Sequence, residues 1–272
     1  MQFDGLRVLS LESRRSAEIE KLIRARRGDP FVAPSMREVP LENNTEAFLF
    51  ATRLFAGEFD MVILLTGVGA RLLNQIIETR YPPGTFAEAL KLLTIVVRGS
   101  KPAAVMREWE VPVAVSVPEP NTWREILAAT EARPERKIAV QEFGRTSLEL
   151  IEGLRARGAQ VTTVPVYQWD LPEDLGPLRE GVRRLAAGQF DVVLFTTSVQ
   201  VSHLLRIAAE QGVEDQVREA LQRAVVASVG PSTSETLSEN GLPVDFEPSH
   251  PKMGFLVNEV SQRAREILQS KQ

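Results

Sequence analysis

Two short turns built from hydroxyl residues and glycine carry the clearest chemical signal in the sequence. Thr197-Ser198 follows the apolar run Val192–Phe195, and a helical pattern begins directly behind it. Thr66-Gly67 stands in the same context earlier in the chain. An apolar run that breaks into small polar residues and then a helix predicts a buried parallel strand leading into a helix N-terminus. Such turns either bind ligand carboxylates or only cap their helices.

A third turn places two cations where a helix is predicted to begin. Arg98, Ser100 and Lys101 follow a predicted strand, and cations at a helix N-terminus are unfavourable unless an anion joins them. We therefore predict an anion-binding turn, the alternative being two solvated surface charges. The corresponding later turn, with Gly230 and Ser232, offers hydroxyls without a cation. Neither turn has the glycine and lysine spacing of a P-loop.

Polar side chains near two further helix starts extend this set of candidates. Arg14 and Arg15 follow the first predicted strand, and Asn121, Thr122 and Arg124 lie where a later helix begins. Arginine recognises carboxylates through paired hydrogen bonds, although a solvated surface explains Arg14 and Arg15 equally well. Thr122 is predicted to cap its helix.

Tyr167 and His203 are the remaining titratable candidates. Tyr167 lies in a proline-punctuated extended segment, where its hydroxyl could donate a proton to a leaving group. Taken alone, a packing role explains Tyr167 better. His203 lies one helical turn after Val199, which favours a structural residue over a general base. We find no catalytic triad, metal motif or dinucleotide-binding glycine loop in the sequence.

The composition is typical of a globular protein without a redox or metal centre. The chain has 272 residues, a net charge of −4, no cysteine and two histidines. These counts exclude a thiol nucleophile and a thiolate metal site, and they give no reason to expect nucleic acid as a partner. We see no signal peptide and no membrane-length apolar run. We therefore expect a cytoplasmic protein with no membrane partner.

An internal repeat sets the architecture. The segment Gly57–Gly69 matches Gly188–Gln200 without a gap at an offset of 131 residues, and this register persists to Pro120 and Pro251. Residues 6–34 correspond to 136–165 with one gap. The chain is therefore predicted to be a duplication of one α/β unit. Its alternating strands and helices predict parallel sheets with helices on both faces, and ligands of such sheets bind beyond the carboxyl ends of the strands.

Several of these segments resemble the uroporphyrinogen-III synthase family. The resemblance rests on Val8-Leu9, Phe59–Thr66, Val164–Tyr167, Phe190–Ser198 and Val226–Leu237, in this order and spacing, and it covers essentially the whole chain. It implies two flavodoxin-like α/β domains joined by a two-stranded ribbon. Residues 1–37 and 170–272 would form a discontinuous domain, residues 40–166 an inserted one, and the linkers would span about 36–43 and 165–172.

The resemblance also implies a reaction. Members of this family cyclise hydroxymethylbilane to uroporphyrinogen III without a cofactor, inverting the last pyrrole ring and losing water. The implied partner is this small-molecule substrate, handed over by hydroxymethylbilane synthase to a monomer. Tyr167 aligns with the tyrosine that is proposed to help the hydroxide leave. Because the substrate is a polycarboxylate, we expect Thr66-Gly67 and Thr197-Ser198 to face one cleft and to belong to one site.

Three turns depart from the family pattern. Leu11-Glu12-Ser13 stands where the family has Thr-Arg-Pro, Thr66-Gly-Val-Gly69 replaces Thr-Ser-x-Asn, and Arg98-Gly-Ser-Lys101 replaces Gly-Pro-x-Thr. An alternative function is therefore a non-catalytic protein of the same fold that binds or senses a tetrapyrrole or another polycarboxylate.

Overall fold

The computed structural model describes residues 2–41, 43–142, 144 and 146–271. In this part of the chain no helix is long and apolar enough to cross a membrane. The elements, in chain order, are β1 (Arg7–Ser10), α1 (Ser16–Ala25), β2 (Asp29–Val32), β3 (Arg37–Pro40), α2 (Thr45–Phe55), β4 (Met61–Leu64), α3 (Gly67–Glu78), α4 (Thr85–Leu90), β5 (Thr94–Val97), α5 (Ser100–Glu108), β6 (Val115–Ser116), α6 (Trp123–Ala129), β7 (Lys137–Gln141), α7 (Leu148–Ala156), β8 (Gln160–Val164), β9 (Tyr167–Asp170), α8 (Gly176–Ala186), β10 (Val192–Phe195), α9 (Val199–Glu210), α10 (Glu214–Arg223), β11 (Val225–Ser228), α11 (Pro231–Glu239) and α12 (Met253–Ser270).

The chain divides into two compact units. Unit 1 comprises residues 1–37 and 170–272, and unit 2 comprises residues 38–169. The chain leaves and re-enters unit 1 through β3 and β9, which pair as a two-stranded sheet. The predicted fold class, two parallel α/β sheets with a connecting two-stranded ribbon, is confirmed.

Unit 1 is built on a parallel sheet with the strand order β11-β10-β1-β2. All four residues of β10 are buried, because helices cover both faces of a parallel sheet. Side chains alternate between the faces. Val193 packs with α8, α9 and α10 on one face, and Val192 packs with α1 and α12 on the other.

Unit 2 is built on a five-stranded parallel sheet with the order β6-β5-β4-β7-β8. Its central strand β4 is buried along its whole length. Val62 and Leu64 face the core formed with α2, α3 and α4, whereas Met61 and Ile63 face α6 and α7.

The two units repeat the same design, element by element. Adding 131 to the residue numbers of β4, β5, α2 and α5 gives β10, β11, α8 and α11 without a shift. At the same offset, the pair Val96↔Val115 between β5 and β6 corresponds to the isolated bridge Ala227↔Phe246 in unit 1. The predicted duplication is therefore visible in the sheet registers as well as in the sequence.

Several predicted boundaries are wrong by a few residues. The sequence places the start of α3 near Ala70 and that of α11 at Glu235, but α3 begins at Gly67 and α11 at Pro231. Thr66 caps α3, which lets the helix start at the next residue, and proline fits the first helical position because it needs no N–H partner there. The strand predicted at Val244–Phe246 is only the bridge at Phe246.

Gly28 is not the cap of α1 that the sequence predicts. The left-handed residue behind α1 is Arg27, with φ 58°. Gly28 is needed for a different reason: a Cβ at this position would lie 2.7 Å from Cγ2 of Ile23 and 2.9 Å from Cδ2 of Phe3. The glycine therefore allows close packing behind α1.

One aspartate holds the start of a neighbouring strand in each unit. Asp191 Oδ2 accepts hydrogen bonds from the backbone N–H of Arg7 (2.8 Å) and from its Nε (3.0 Å). At the equivalent place, Asp60 accepts from the backbone N–H groups of Arg136 (3.2 Å) and Lys137 (2.9 Å). Burial alone would raise the pKa of Asp191, but the hydrogen bonds and charge of Arg7 outweigh it and hold this pKa below its ordinary value. The ionised carboxylate therefore stabilises unit 1.

We expect Asp191→Asn to lower the free energy of unfolding at pH 7 by about 1.5–3 kcal/mol, the range for hydrogen bonds to a charged group. Because the folded-state pKa is lowered, this stabilisation is complete above the unfolded-state pKa of about 4 and is lost as the pH falls below it through the folded-state pKa. Urea unfolding at pH 7 and pH 3 measures both effects. Asp60→Asn is the matched comparison and should cost less, because Asp60 is exposed. Equal losses at both pH values would contradict the assignment.

Candidate functional site

Thr66 lies at the carboxyl edge of the unit 2 sheet, between β4 and α3. Its backbone is extended, with φ −144° and ψ 148°, and its Oγ1 accepts the N–H of Gly69 at 3.0 Å. The same oxygen lies 3.4 Å from the hydroxyl of Tyr167. Thr66 is therefore a helix cap and also a neighbour of the tyrosine at this edge.

Tyr167 combines a packed ring with a hydroxyl at the sheet edge. The side chain is 2% exposed and belongs to the core beneath α2 and α3. Its ring lies 6.5 Å, centroid to centroid, from that of Trp169. The core therefore fixes where the hydroxyl stands beside Thr66.

Gln141, at the end of β7, supports the same turn and does not appear among the predicted site residues. Its Oε1 accepts the N–H of Thr66 at 3.2 Å, and its Nε2 donates to the carbonyl oxygen of Glu142. The side chain is 1% exposed. The amide satisfies a helix N-terminal N–H group that has no partner within the helix.

The turn at Arg98 lies next to the turn at Thr66. Arg98 donates from Nε to the carbonyl oxygen of Leu65 at 3.1 Å. A Cβ on Gly67 would lie 2.9 Å from the carbonyl oxygen of Lys101, so the starts of α3 and α5 are in close contact. Ser100 opens α5, and both Ser100 and Lys101 are exposed. The structure thus brings these predicted residues together at one edge.

Asn121 adjoins this cluster, whereas Thr122 has a structural role. Asn121 has φ 61°, and a Cβ on Gly99 would lie 3.1 Å from its side-chain amide. The hydrogen-bond network orients that amide to donate to the carbonyl oxygen of Val117 at 2.9 Å. Thr122 is 3% exposed and forms a capping box with Glu125, which confirms the predicted cap.

Arg124 stands beside Thr122 at the start of α6. Its guanidinium lies 4.4 Å from the centre of the Trp123 ring, a cation–π distance. Within the described part of the chain, Arg98, Lys101 and Arg124 thus bring positive charge to this edge of unit 2, where a polycarboxylate could contact it.

Glu142 is a buried carboxyl group at the same edge. It is 6% exposed, and within the described ranges its Oε1 has no hydrogen-bond donor. Burial raises the pKa of this carboxyl above its ordinary value, although a hydrogen bond from Thr146 opposes the rise. The neutral form is therefore favoured more strongly here than in water.

In unit 1, the turn that follows β10 is supported by Gln200. Its Oε1 accepts the N–H groups of Thr196 at 2.7 Å and Thr197 at 3.4 Å, while its Nε2 donates to the carbonyl oxygen of Leu11 at 3.1 Å. Ser198 precedes α9 but makes no capping hydrogen bond with its side chain, and it is 5% exposed. The glutamine, not the predicted hydroxyls, satisfies this helix start.

Glu12 brings a negative charge to the edge of unit 1. It accepts a hydrogen bond from the hydroxyl of Thr196 and, through Oε1, another from the backbone N–H of Arg15 at 3.0 Å. The guanidinium of Arg15 pairs with Glu18 on the exposed surface. Arg14 is exposed as well. The charged group that contacts Thr196 is therefore the carboxylate of Glu12, whereas Arg14 and Arg15 lie on the exposed surface.

Gly230 and Ser232 lie at the start of α11. The N–H of Gly230 donates to Oγ of Ser228 at 3.2 Å, and Oγ of Ser228 donates to the carbonyl oxygen of Gly230 at 2.9 Å. Ser234 donates to Ser228 at 2.9 Å. Ser232 is exposed. This turn is thus organised by serine hydroxyls, and its exposed hydroxyl belongs to Ser232.

His203 is a buried structural side chain. Its Nδ1 lies 2.7 Å from the carbonyl oxygen of Ser35, and the side chain is 8% exposed. Burial lowers its pKa below the ordinary value, more than the bond to Ser35 raises it. A neutral ring that donates to Ser35 agrees with the structural role that the sequence favours.

Comparison with known proteins identifies the family. The family model described as uroporphyrinogen-III synthase HemD matches residues 17–258. The chain belongs to the uroporphyrinogen-III synthase family. The resemblance seen in the sequence is thereby confirmed.

Individual proteins are similar to this chain over most of its length. A protein of Methanothermobacter thermautotrophicus described as "Putative uroporphyrinogen-III synthase" is 33% identical over 231 residues, which cover 84% of this chain and 87% of that one. The "Uncharacterized protein YjjA" of Bacillus subtilis is 29% identical over 262 residues, 94% of this chain and 95% of its own. A crystal structure of a mutant uroporphyrinogen III synthase from the extremely thermophilic bacterium Thermus thermophilus covers 96% of this chain and 99% of that chain, with a TM-score of 0.71 and 21% identity. The structural match shows the synthase fold.

We expect Glu142→Gln to stabilise the protein at pH 8. A raised folded-state pKa means that Glu142 lowers stability once the pH rises through that value, because the unfolded chain ionises more readily. The amide keeps the acceptor for Thr146 and carries no charge to desolvate. Melting temperatures at pH 8 and pH 4 test this, with the exposed Glu152→Gln on α7 as control. A gain for Glu142→Gln that is equally large at pH 4 would contradict the assignment.

Proposed function

We propose that this chain cyclises hydroxymethylbilane to uroporphyrinogen III, with inversion of the last pyrrole ring and loss of water, as a cofactor-free hydro-lyase of tetrapyrrole biosynthesis. The observation that carries the proposal is the match of the family model to residues 17–258. The proposal includes a cytoplasmic monomer that receives its substrate from hydroxymethylbilane synthase.

The charges at the sheet edge of unit 2 support a polycarboxylate substrate. Among the described residues, Arg98, Lys101 and Arg124 bring cations to this edge, and the backbone N–H groups at the start of α5 add a favourable dipole for an anion. Arg98 is already oriented by its bond to the carbonyl oxygen of Leu65. We propose that carboxylates of the bilane bind to this cluster together with Ser100 and Asn121.

At the edge of unit 1 we propose that hydroxyl groups, not cations, hold the substrate. Thr197, Ser198 and Ser232 supply the hydroxyls, and the helix start at Gly230 adds backbone donors. Glu12 repels carboxylates at this edge and attracts donors such as pyrrole N–H groups. Arg14 and Arg15, which the sequence also offers for binding, would contact the substrate only from the exposed surface.

The protein's task in this reaction is mainly to hold a conformation, since the flexible bilane must close in one of several arrangements. We propose that Tyr167 donates its phenolic proton to the departing hydroxyl oxygen as the carbon–oxygen bond breaks, so that water leaves. The phenolate then regains a proton released when the ring closes. Thr66 lies against the Tyr167 hydroxyl and would keep it oriented.

Incubation with enzymatically generated hydroxymethylbilane is the direct test of this function. The bilane closes spontaneously to the type I isomer, so we expect the protein to redirect the product to type III, as measured by chromatography of the oxidised porphyrins. Saturable binding with only the type I isomer would contradict the proposal and favour a binding protein.

Tyr167→Phe tests the proposed proton donor. We expect type III formation to slow by about 100-fold, within the usual range for loss of a general acid, with little change in melting temperature because the ring still packs. Tyr81→Phe is the matched control, because the Tyr81 hydroxyl also lies beside a threonine, 3.3 Å from Oγ1 of Thr52, but in an exposed place. A rate equal to that of Tyr81→Phe would leave Tyr167 with a packing role only.

A further inference from the structure

The duplication supplies an internal comparison for the turn that holds Thr66. The pair Val62↔Ala139 of unit 2 corresponds to Val193↔Leu9 of unit 1, and the next pair, Ile63↔Val140, corresponds to Leu194↔Ser10. This correspondence places Leu11 of unit 1 at the position of Gln141. The offset of 131 residues likewise places Gln200 at the position of Gly69.

Each unit has a glutamine at one of these two positions, but not at the same one. Unit 2 has the glutamine at the end of the strand and glycine in the first turn of the helix. Unit 1 has leucine at the end of the strand and the glutamine on the helix. In both units the glutamine oxygen accepts N–H groups of the turn behind the central strand.

The two arrangements exclude each other within one unit. A Cβ built on Gly69 would overlap the side-chain amide of Gln141, so a side chain at 69 requires the amide at 141 to move. In unit 1 the amide of Gln200 occupies the equivalent space and donates to the carbonyl oxygen of Leu11. Each unit thus supplies one glutamine amide to its turn, from the strand in unit 2 and from the helix in unit 1.

The source of the amide matters for Thr66, because this threonine has two other contacts. Its Oγ1 accepts the N–H of Gly69 and lies beside the Tyr167 hydroxyl. With Gln141 bonded to its backbone N–H, the threonine is held at its main chain while its hydroxyl remains beside Tyr167. Without this amide, the half-buried N–H loses its partner, and rotation of the turn toward water would carry the hydroxyl away.

We propose that Gln141 is a positioning residue for the Thr66–Tyr167 pair. This inference rests on the proposed function of Tyr167. Gln141 does not touch the substrate: it acts by fixing the main chain of Thr66, and thereby the hydroxyl that orients the phenol.

Two variants that copy the solution found in unit 1 test the proposal. Gln141→Leu removes the amide, and we expect kcat for type III formation to fall about 10–100-fold with KM changed less than about threefold, because misplacement of a reacting group affects the chemical step. Gln141→Leu combined with Gly69→Gln offers an amide from the helix side, as in unit 1, but a Cβ at position 69 would lie 2.8 Å from Oγ1 of Thr66. We therefore expect the double variant to hold the main chain of Thr66 again while its hydroxyl is displaced, so that the lost kcat is not recovered.

Hydrogen exchange at the Thr66 amide gives a second readout that needs no substrate. We expect this amide to exchange faster in Gln141→Leu than in the parent protein, and to regain protection in the double variant. If the parent protein makes no type III isomer, the proposed function fails, while the exchange pattern still reports on the amide. If Gln141→Leu does not fold, Gln141→Met replaces it, since it matches the length of the side chain.

The outcomes separate a positioning role from a merely structural one. A variant that melts lower but has the parental kcat per folded molecule would overturn the proposal. So would a double variant that regains the parental kcat, because its side chain at position 69 displaces the Thr66 hydroxyl. A fall in kcat at nearly constant KM in Gln141→Leu, followed in the double variant by regained protection at Thr66 without regained kcat, supports it.

Discussion

In each unit the backbone N–H groups between the central strand and the next helix need a hydrogen-bond acceptor. The side chain that provides this acceptor determines how the other polar groups at the sheet edge are arranged. Buried strands end here, and the first N–H groups of a helix have no partner within it. Gln141 satisfies the N–H of Thr66, and Gln200 those of Thr196 and Thr197. Because an amide serves the main chain, the hydroxyls of the turn can take other contacts.

The same scaffold carries different charges at its two edges. Of the described residues, Arg98, Lys101 and Arg124 lie at the edge of unit 2, whereas in unit 1 Glu12 accepts a hydrogen bond from Thr196. Strands β4 and β5 and helices α2 and α5 recur in unit 1 without a shift, so these charges differ on a scaffold that is shared in large part.

The sequence predicted the features that depend on local patterns and missed those that depend on distant pairs. Apolar runs located the central strands, the repeat gave the duplication, and Thr122 was found from its place before a helix. Gln141 escaped because its partner Thr66 lies 75 residues away, and no local pattern marks a glutamine at the end of a strand. The exchange of glutamine between the strand end and the helix was visible in the aligned repeat, but only the structure shows that each amide reaches the turn behind its central strand.

For Tyr167, packing and chemistry are parts of one arrangement. A tyrosine whose ring moved freely would present its hydroxyl over a range of positions. The entropy of orienting that hydroxyl would then have to be lost during the reaction, which raises the barrier. The core of unit 2 removes that freedom, leaving the ring 2% exposed with its hydroxyl 3.4 Å from Thr66. The orientation of the hydroxyl then depends on Thr66, whose backbone N–H donates to the side-chain oxygen of Gln141. A proposed proton donor with a buried ring is therefore only as well oriented as the turn beside it.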